Sequence, residues 1–205
     1  MRFSEIKKRL SVCRVGIAGA GGLGSNCAIA LVRSGVGTVV IADFDTVNES
    51  NLNRQFFFRD QIGMPKVSAL KDNLKRIDPD SHIIIHEIEL NPDNIPSVFK
   101  GCDIIVEAFD RSDMKKMLIE SVYRDLPGIP LVVGSGLAGY GDNNSIRSRR
   151  IDETLWLAGD ESGEVSDENP PLAPRVGIVA NMQANIVLEI LLKGKKRYSN
   201  ENNAQ

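Results

Sequence analysis

Cysteine is scarce in this chain. There are three in 205 residues, Cys13, Cys27 and Cys102, far apart and with no C-x-x-C pair. That spacing speaks against a disulfide framework and against a structural zinc site, and it fits a reducing compartment, so a cytoplasmic protein without zinc is expected. A surplus of positive charge is missing too. With 25 Lys+Arg against 27 Asp+Glu the formal net charge is −2, which argues against nucleic acid or an anionic membrane as a partner. The first ten residues, MRFSEIKKRL, have no apolar core of the kind a signal peptide needs. The longest apolar stretch, VGIVANMQANIVLEILL, is broken by Asn181, Gln183, Asn185 and Glu189, so no membrane span is expected. Internal repeats are absent. What remains is 42% hydrophobic and 25% charged, which suits one domain with a full core.

Strand and helix patterns alternate along most of the chain. A charged helix at about 3–12 precedes a buried strand, CRVGIAG, and then a helical run, GGLGSNCAIALVRSG. The strand TVVIADF follows, then a loop, a helix near MPKVSALKDNLKRIDP and the strand HIIIHEIEL. After a segment around DNIPSVFKG come the strand CDIIVEAFD, a helix over 112–125 and the strand IPLVVGSG. This order predicts a Rossmann-like α/β fold, doubly wound, with a mostly parallel sheet and helices on both faces. Two weaker strands, near NNSIRSRR and ETLWLAG, read as a short hairpin extension. The acidic, Ser- and Pro-rich run GDESGEVSDENPPLAP is a connector to one last helix at about 176–193. The expectation is a single domain over 1–193 with a disordered tail over 194–205.

The chemistry begins at GAGGLG, Gly19 to Gly24, set between a strand and a helix. Glycines there permit a tight turn and a close backbone approach to phosphate, and the helix N-terminus offers N–H groups to an anion. Asp43, at the end of the next strand, is placed to hold a ribose. The loop after it, DTVNESNLNRQFFF, carries more than a dinucleotide fold needs: Asp45, Asn51, Arg54 and Gln55. Lys66 opens the next helix, and Asp110 lies at the carboxyl end of the fourth strand. A reaction at phosphorus needs cations aimed where negative charge develops, and a metal ion with its carboxylate, so Arg54, Lys66 and Asp110 are the candidate catalytic residues.

GAGGLGSN, DFDTVNESNLNRQFFF, IGMPK, EAFD and LAPRVGIVANMQA together resemble the adenylating superfamily that contains ThiF, MoeB and the ubiquitin-activating enzymes, most of all its compact ThiF-like branch. The resemblance covers about residues 13–192. It implies an ATP-dependent adenylyltransferase that activates the C-terminal glycine of a small ubiquitin-like carrier protein ending in Gly-Gly, similar to the sulfur carrier ThiS of thiamine biosynthesis. It further implies that Gly19, Gly21, Gly22 and Gly24 pass close to ATP, and that Asp43 holds the ribose. Asn51, Arg54, Gln55 and Lys66 would surround the phosphates, Asp110 would bind Mg2+, and the chain would form a homodimer.

Departures and alternatives stand beside these expectations. Many relatives carry a cysteine in the crossover loop before the last helix, and AGDESGEVSDENPPLAP has none. All three thiols read as structural, so the activity should stop at the acyl-adenylate. Arg54 has an alternative as a surface ion-pair partner, and Asn51 and Asp110 have alternatives as helix caps. His82 and His86 read as solvated strand residues, too far apart along a strand to share a metal. The QFFF aromatics read as core packing of the next helix, with part of an apolar groove for the carrier protein as the alternative. A nicotinamide-dependent oxidoreductase, a binding protein without turnover, and dehydration of a tRNA nucleoside are the competing functions.

Overall fold

The computed structural model describes residues 1–162 and 165–194. Among these residues, seven strands form one sheet in the order β3-β2-β1-β4-β5-β7-β6. The strands are β1 (Arg14–Ala18), β2 (Thr38–Ala42), β3 (His82–His86), β4 (Ile104–Glu107), β5 (Leu131–Gly134), β6 (Arg147–Arg150) and β7 (Leu155–Gly159). Every pairing is parallel except that of β6 with β7. The helices are α1 (Phe3–Leu10), α2 (Gly22–Ser34), α3 (Lys66–Ile77), α4 (Ile95–Val98), α5 (Ser112–Asp125) and α6 (Ala173–Lys193).

Alternating strand side chains build two cores, as parallel strands buried on both faces require. Val15, Ile17, Val39, Ile41, Ile104 and Val106 face α2, α3 and α6. Ala18, Val40, Ala42, Ile105, Leu131 and Val133 face α4 and α5. Gly16 sits on that second face because the Phe99 ring covers it, leaving 2.6 Å to where a Cβ would stand. The chain winds from β1 outward to β3, then crosses back to β4 beside β1. The sheet therefore opens a crevice at the carboxyl ends of β1 and β4, where folds of this class take ligands.

The fold class is as the sequence predicts, and the hairpin is more than an extension. β7 pairs in parallel with β5 from Leu131↔Leu155 to Gly134↔Ala158, so the hairpin completes the sheet and leaves only β6 antiparallel at the edge. The last helix starts earlier than expected, at Ala173. By length and composition alone α6 is apolar enough to cross a membrane, but it lies against α2, β5 and β7. Its Gln183 is fully buried and donates to the carbonyls of Glu107 (2.8 Å) and Val132 (3.3 Å), so the polar residue interrupting the apolar run pins α6 onto the sheet. Most of the expected tail, residues 195–205, lies outside the described residues.

Candidate active site

Three segments meet at the crevice. The first is the glycine turn. Gly19 has φ 103°, and a Cβ at Gly24 would stand 1.9 Å from the Gly19 carbonyl oxygen, so the turn closes only with glycine at both positions. Gly21 caps α2 without a side-chain hydrogen bond. Gly22 is roofed by Val176 of α6, 2.9 Å from where its Cβ would be, and by the Arg54 stem at 3.7 Å.

The second segment is the loop from Asp43 to Lys66. Its ends are stitched together: Lys66 N–H donates to the Asp45 carbonyl (2.8 Å), Val47 N–H to that of Met64 (2.9 Å), and Thr46 bridges Pro65. This folds Lys66, at the head of α3, back beside Asp43. Asp43 accepts from Ala20 N–H in the glycine turn (2.6 Å) and from Asp45 N–H (2.8 Å). Burial pushes its carboxyl above the usual range, against the pull of those two N–H groups and of Lys66. Lys66 itself is buried and donates to Asp45 Oδ2 at 2.7 Å.

Mid-loop, Arg54 is half-buried, and its guanidinium donates to the Ser50 carbonyl (3.2 Å) and to Asn53 Oδ1 (2.8 Å). Arg54 thus makes local hydrogen bonds, and no ion pair to it is found among the described residues. Gln55 is buried against Gly21, and among the described residues nothing donates to its Oε1. Asn51 does act as a cap: its Oδ1 accepts Asn48 N–H (3.0 Å) in the 3-10 turn Glu49–Asn51. Phe57 packs into the core and Phe56 lies against it, while Phe58 is exposed.

The third segment leaves β4. The Gly19 Cα faces the Ala108 carbonyl and the Phe109 ring, which brings the following residue, Asp110, to the crevice rim, exposed. Asp110 does not cap α5, whose N-cap residue is Arg111 and has no side-chain cap. These contacts join Gly19, Gly21, Gly22, Gly24, Asp43, Arg54, Gln55 and Lys66 into one cluster at the crevice, with exposed Asp110 at its edge.

Sequence reasoning passed over the groups that hold these three segments in place. Ser25 Oγ accepts Phe56 N–H (3.0 Å) and donates to the Gly21 carbonyl (2.6 Å). Asn26 Nδ2 donates to the carbonyls of Gly22 (2.7 Å) and Arg54 (2.9 Å). Both were visible as the polar pair closing GAGGLGSN. Gln61 and Asn73 bond each other reciprocally at 3.0 Å, and Asn73 also holds the Phe56 carbonyl, tying the loop to α3. Glu107, wholly buried, takes both carboxylate oxygens to Lys115 Nζ at 2.9 Å and accepts Phe109 N–H at 2.6 Å. Next to Val176, buried Arg175 pairs with Asp160 and donates to the Gly141 carbonyl, fixing the start of α6.

The thiols stand apart from this chemistry. Burial pushes Cys27 up to about 12 and raises Cys13 and Cys102, so none is poised as a thiolate. Among the described residues no group of three or more His, Cys, Asp or Glu converges as a metal cage.

Comparison with known proteins agrees with the geometry. The ThiF family model matches residues 3–205. The chain is 29% identical over 191 residues to the molybdopterin-synthase adenylyltransferase of Salmonella typhimurium, covering 91% of this chain and 76% of that one. It is 32% identical over 194 residues to the adenylyltransferase and sulfurtransferase MOCS3 of Caenorhabditis briggsae (91% and 48%). Over 130 residues it is 37% identical to the probable adenylyltransferase/sulfurtransferase MoeZ of Mycobacterium tuberculosis (63% and 33%). The chain thus spans less than half the length of the MOCS3 and MoeZ relatives. Among solved structures, the E. coli tRNA N6-threonylcarbamoyladenosine dehydratase TcdA in complex with ATP superposes with a TM-score of 0.84 at 21% identity (94% of this chain, 91% of that one). E. coli MccB with ATP gives 0.70 at 22% (92% and 59%). At these identities the two structures are likenesses of fold.

Proposed function

Because the chain belongs to the ThiF family, we propose that it is an ATP-dependent adenylyltransferase, and that its acceptor is the C-terminal glycine carboxylate of a small ThiS-like carrier protein ending in Gly-Gly. The observation that carries the reading is Lys66. A nearly buried ammonium stands beside the ribose acid Asp43, with the Arg54 stem lying over Gly22 of the glycine turn. A pyrophosphate that survives its reaction, as in hydride transfer, needs only the glycine turn. Two further cations suit a step in which the α–β phosphate bond breaks.

In that step the carrier's carboxylate oxygen attacks the α-phosphorus, the new O–P bond forms, and pyrophosphate leaves with the electrons of the broken bond. Asp43 would orient the nucleoside through its ribose hydroxyls. Lys66 and Arg54 would offset charge on the phosphoryl oxygens and the leaving group, and the α2 N-terminus would add its N–H groups. Magnesium, when bound, would neutralise phosphate charge. Exposed Asp110 fits as a single protein ligand, because Mg2+ keeps most of its positions for phosphates and water. Burial raises all three thiols, which supports a reaction that ends at the acyl-adenylate, with sulfur delivered by another protein. We also take the chain to be a homodimer.

The test is ATP–pyrophosphate exchange supported by a Gly-Gly carrier. Arg54→Ala and Lys66→Ala should each slow exchange by roughly 100-fold or more. Unchanged exchange in both variants, or binding of NAD with no response to ATP, would overturn the reading. The likeness to TcdA motivates a second acceptor, a tRNA nucleoside. ATP turnover supported by tRNA and not by any Gly-Gly carrier would select it.

A further inference from the structure

The reading above leaves the Asp45 carboxylate without a task, yet Asp45 is the ion-pair partner of Lys66. The two side chains meet at 2.7 Å, with the lysine 7% exposed and the aspartate 49% exposed. We propose that Asp45 is a positioning residue: it holds the Lys66 ammonium at the crevice and leaves two of its three hydrogens for the phosphates of a nucleotide. The inference rests on the nucleotide-binding reading of Lys66 and goes beyond it, since Asp45 itself touches no part of the nucleotide in this scheme.

Three observations support it. A lysine stem is long and flexible, so an ammonium reaches a fixed place only when something holds it. Here the stem is buried and the ammonium has one acceptor among the described residues, Asp45 Oδ2. An ammonium has three donors and no acceptor, so one bond to Asp45 leaves two to give. Finally, Asp45 is itself placed by the site. Its N–H donates to Asp43 Oδ1 (2.8 Å), its carbonyl accepts Lys66 N–H (2.8 Å), and Asp43 Oδ2 accepts Ala20 N–H (2.6 Å). A continuous series of contacts therefore runs from the glycine turn through the ribose acid to Asp45 and on to the lysine. The position of the phosphate cation is referred to the same acid that orients the nucleoside.

A carboxylate near a polyanion could instead do nothing but repel it, and the two roles differ in sign. Removing a merely repulsive carboxylate tightens ATP binding, whereas removing a positioning one loosens it. The experiment uses the full chain with Asp45→Asn, Asp45→Glu, Lys66→Ala and the Asp45→Asn/Lys66→Ala double variant. Calorimetry measures magnesium-ATP and AMP affinities. Acetylation by an amine-reactive ester, read by peptide mass spectrometry, reports how freely Lys66 moves. The Asp45 side chain is half-exposed and fills no core position, and Asp45→Glu keeps the charge as a control.

The expected result is that Asp45→Asn weakens ATP about tenfold, the scale of one lost charge-assisted hydrogen bond, and AMP clearly less. Lys66 should be acetylated several times faster in that variant. The double variant should bind ATP no more weakly than Lys66→Ala alone, because Asp45 acts only through the lysine. Asp45→Glu should recover part of the affinity. Tighter or unchanged ATP binding in Asp45→Asn, or additive losses in the double variant, overturns the positioning role while leaving the nucleotide reading intact. A native chain that binds no ATP, or whose Lys66 gains no protection from ATP, overturns that reading and this inference with it.

Discussion

If Asp43 holds the ribose as proposed, its carboxyl acts on fold and ligand with opposite pH responses. Burial raises its carboxyl above 3.8, while Ala20 N–H, Asp45 N–H and Lys66 favour the charged form. A carboxyl raised on folding stabilises the protein fully below its unfolded value, and that contribution is lost as pH climbs through the folded value. Ribose hydroxyls need the ionised acceptor, so nucleotide affinity runs the other way. It should be full above the raised value and fall as pH drops through it, beginning above the ordinary aspartate range. Titrations of ATP from pH 7 to pH 4 should show this fall in the native chain, and weaker, flatter binding in Asp43→Asn. An unchanged pH profile in the variant would remove Asp43 from the ribose site.

Between elements, the critical feature is the end of the β4–β5 ladder. Backbone pairing stops at Val106↔Val132, and beyond it side chains take over. Glu107 reaches Gly134 N–H (3.3 Å), and Lys115 of α5 donates both to Glu107 and to the Gly134 carbonyl (2.9 Å). This cross-link keeps the ends of β4 and β5 joined beyond the ladder, and it fixes the turn that carries Phe109 and Asp110 forward to the crevice. Burial raises the Glu107 carboxyl, with Lys115 pulling the other way. Lys115→Met should therefore cost about 3–5 kcal/mol near pH 8, because a buried carboxylate loses its partner. The deficit should shrink toward acid pH as Glu107 takes up a proton, and Glu107→Gln in the same chain should recover part of it. Denaturant melts at pH 5 and pH 8 measure both, and equal deficits at the two values would contradict this account of the pair.

For the whole molecule, the helix that closes one core also presents an outward apolar face. Pro174, Gly177, Ile178 and Met182 line a shallow groove of about 570 Å3 on α6, and Ile178 is 36% exposed. A two-fold contact between copies would cover it with the same surface. Light scattering should give twice the chain mass, and Ile178→Asp should shift the protein toward monomer. A monomer at every accessible concentration would contradict the homodimer. The inner face of the same helix carries Val176 over Gly22, so α6 links this outer surface to the glycine turn.

The order of elements, the parallel sheet and the crevice at its switch point were legible in the sequence, because each depends on local periodicity and on glycine at fixed spacing. GAGGLG, Asp43 and the NLNRQ loop could be located for the same reason: their chemistry requires particular residue types a short distance apart in the chain. The hairpin's place in the sheet was not legible. Pairing of Leu131 with Leu155 is a contact between distant strands, and a weak alternating pattern does not reveal its partner. Asp45 and Lys66, 21 residues apart, meet only because the loop between them is stitched at both ends. Gln183 looked like a polar interruption, and nothing singled out Glu107 within CDIIVEAFD, until α6 and β4 were packed together. A buried polar group takes its meaning from the partner that satisfies it, and that partner is chosen by tertiary structure.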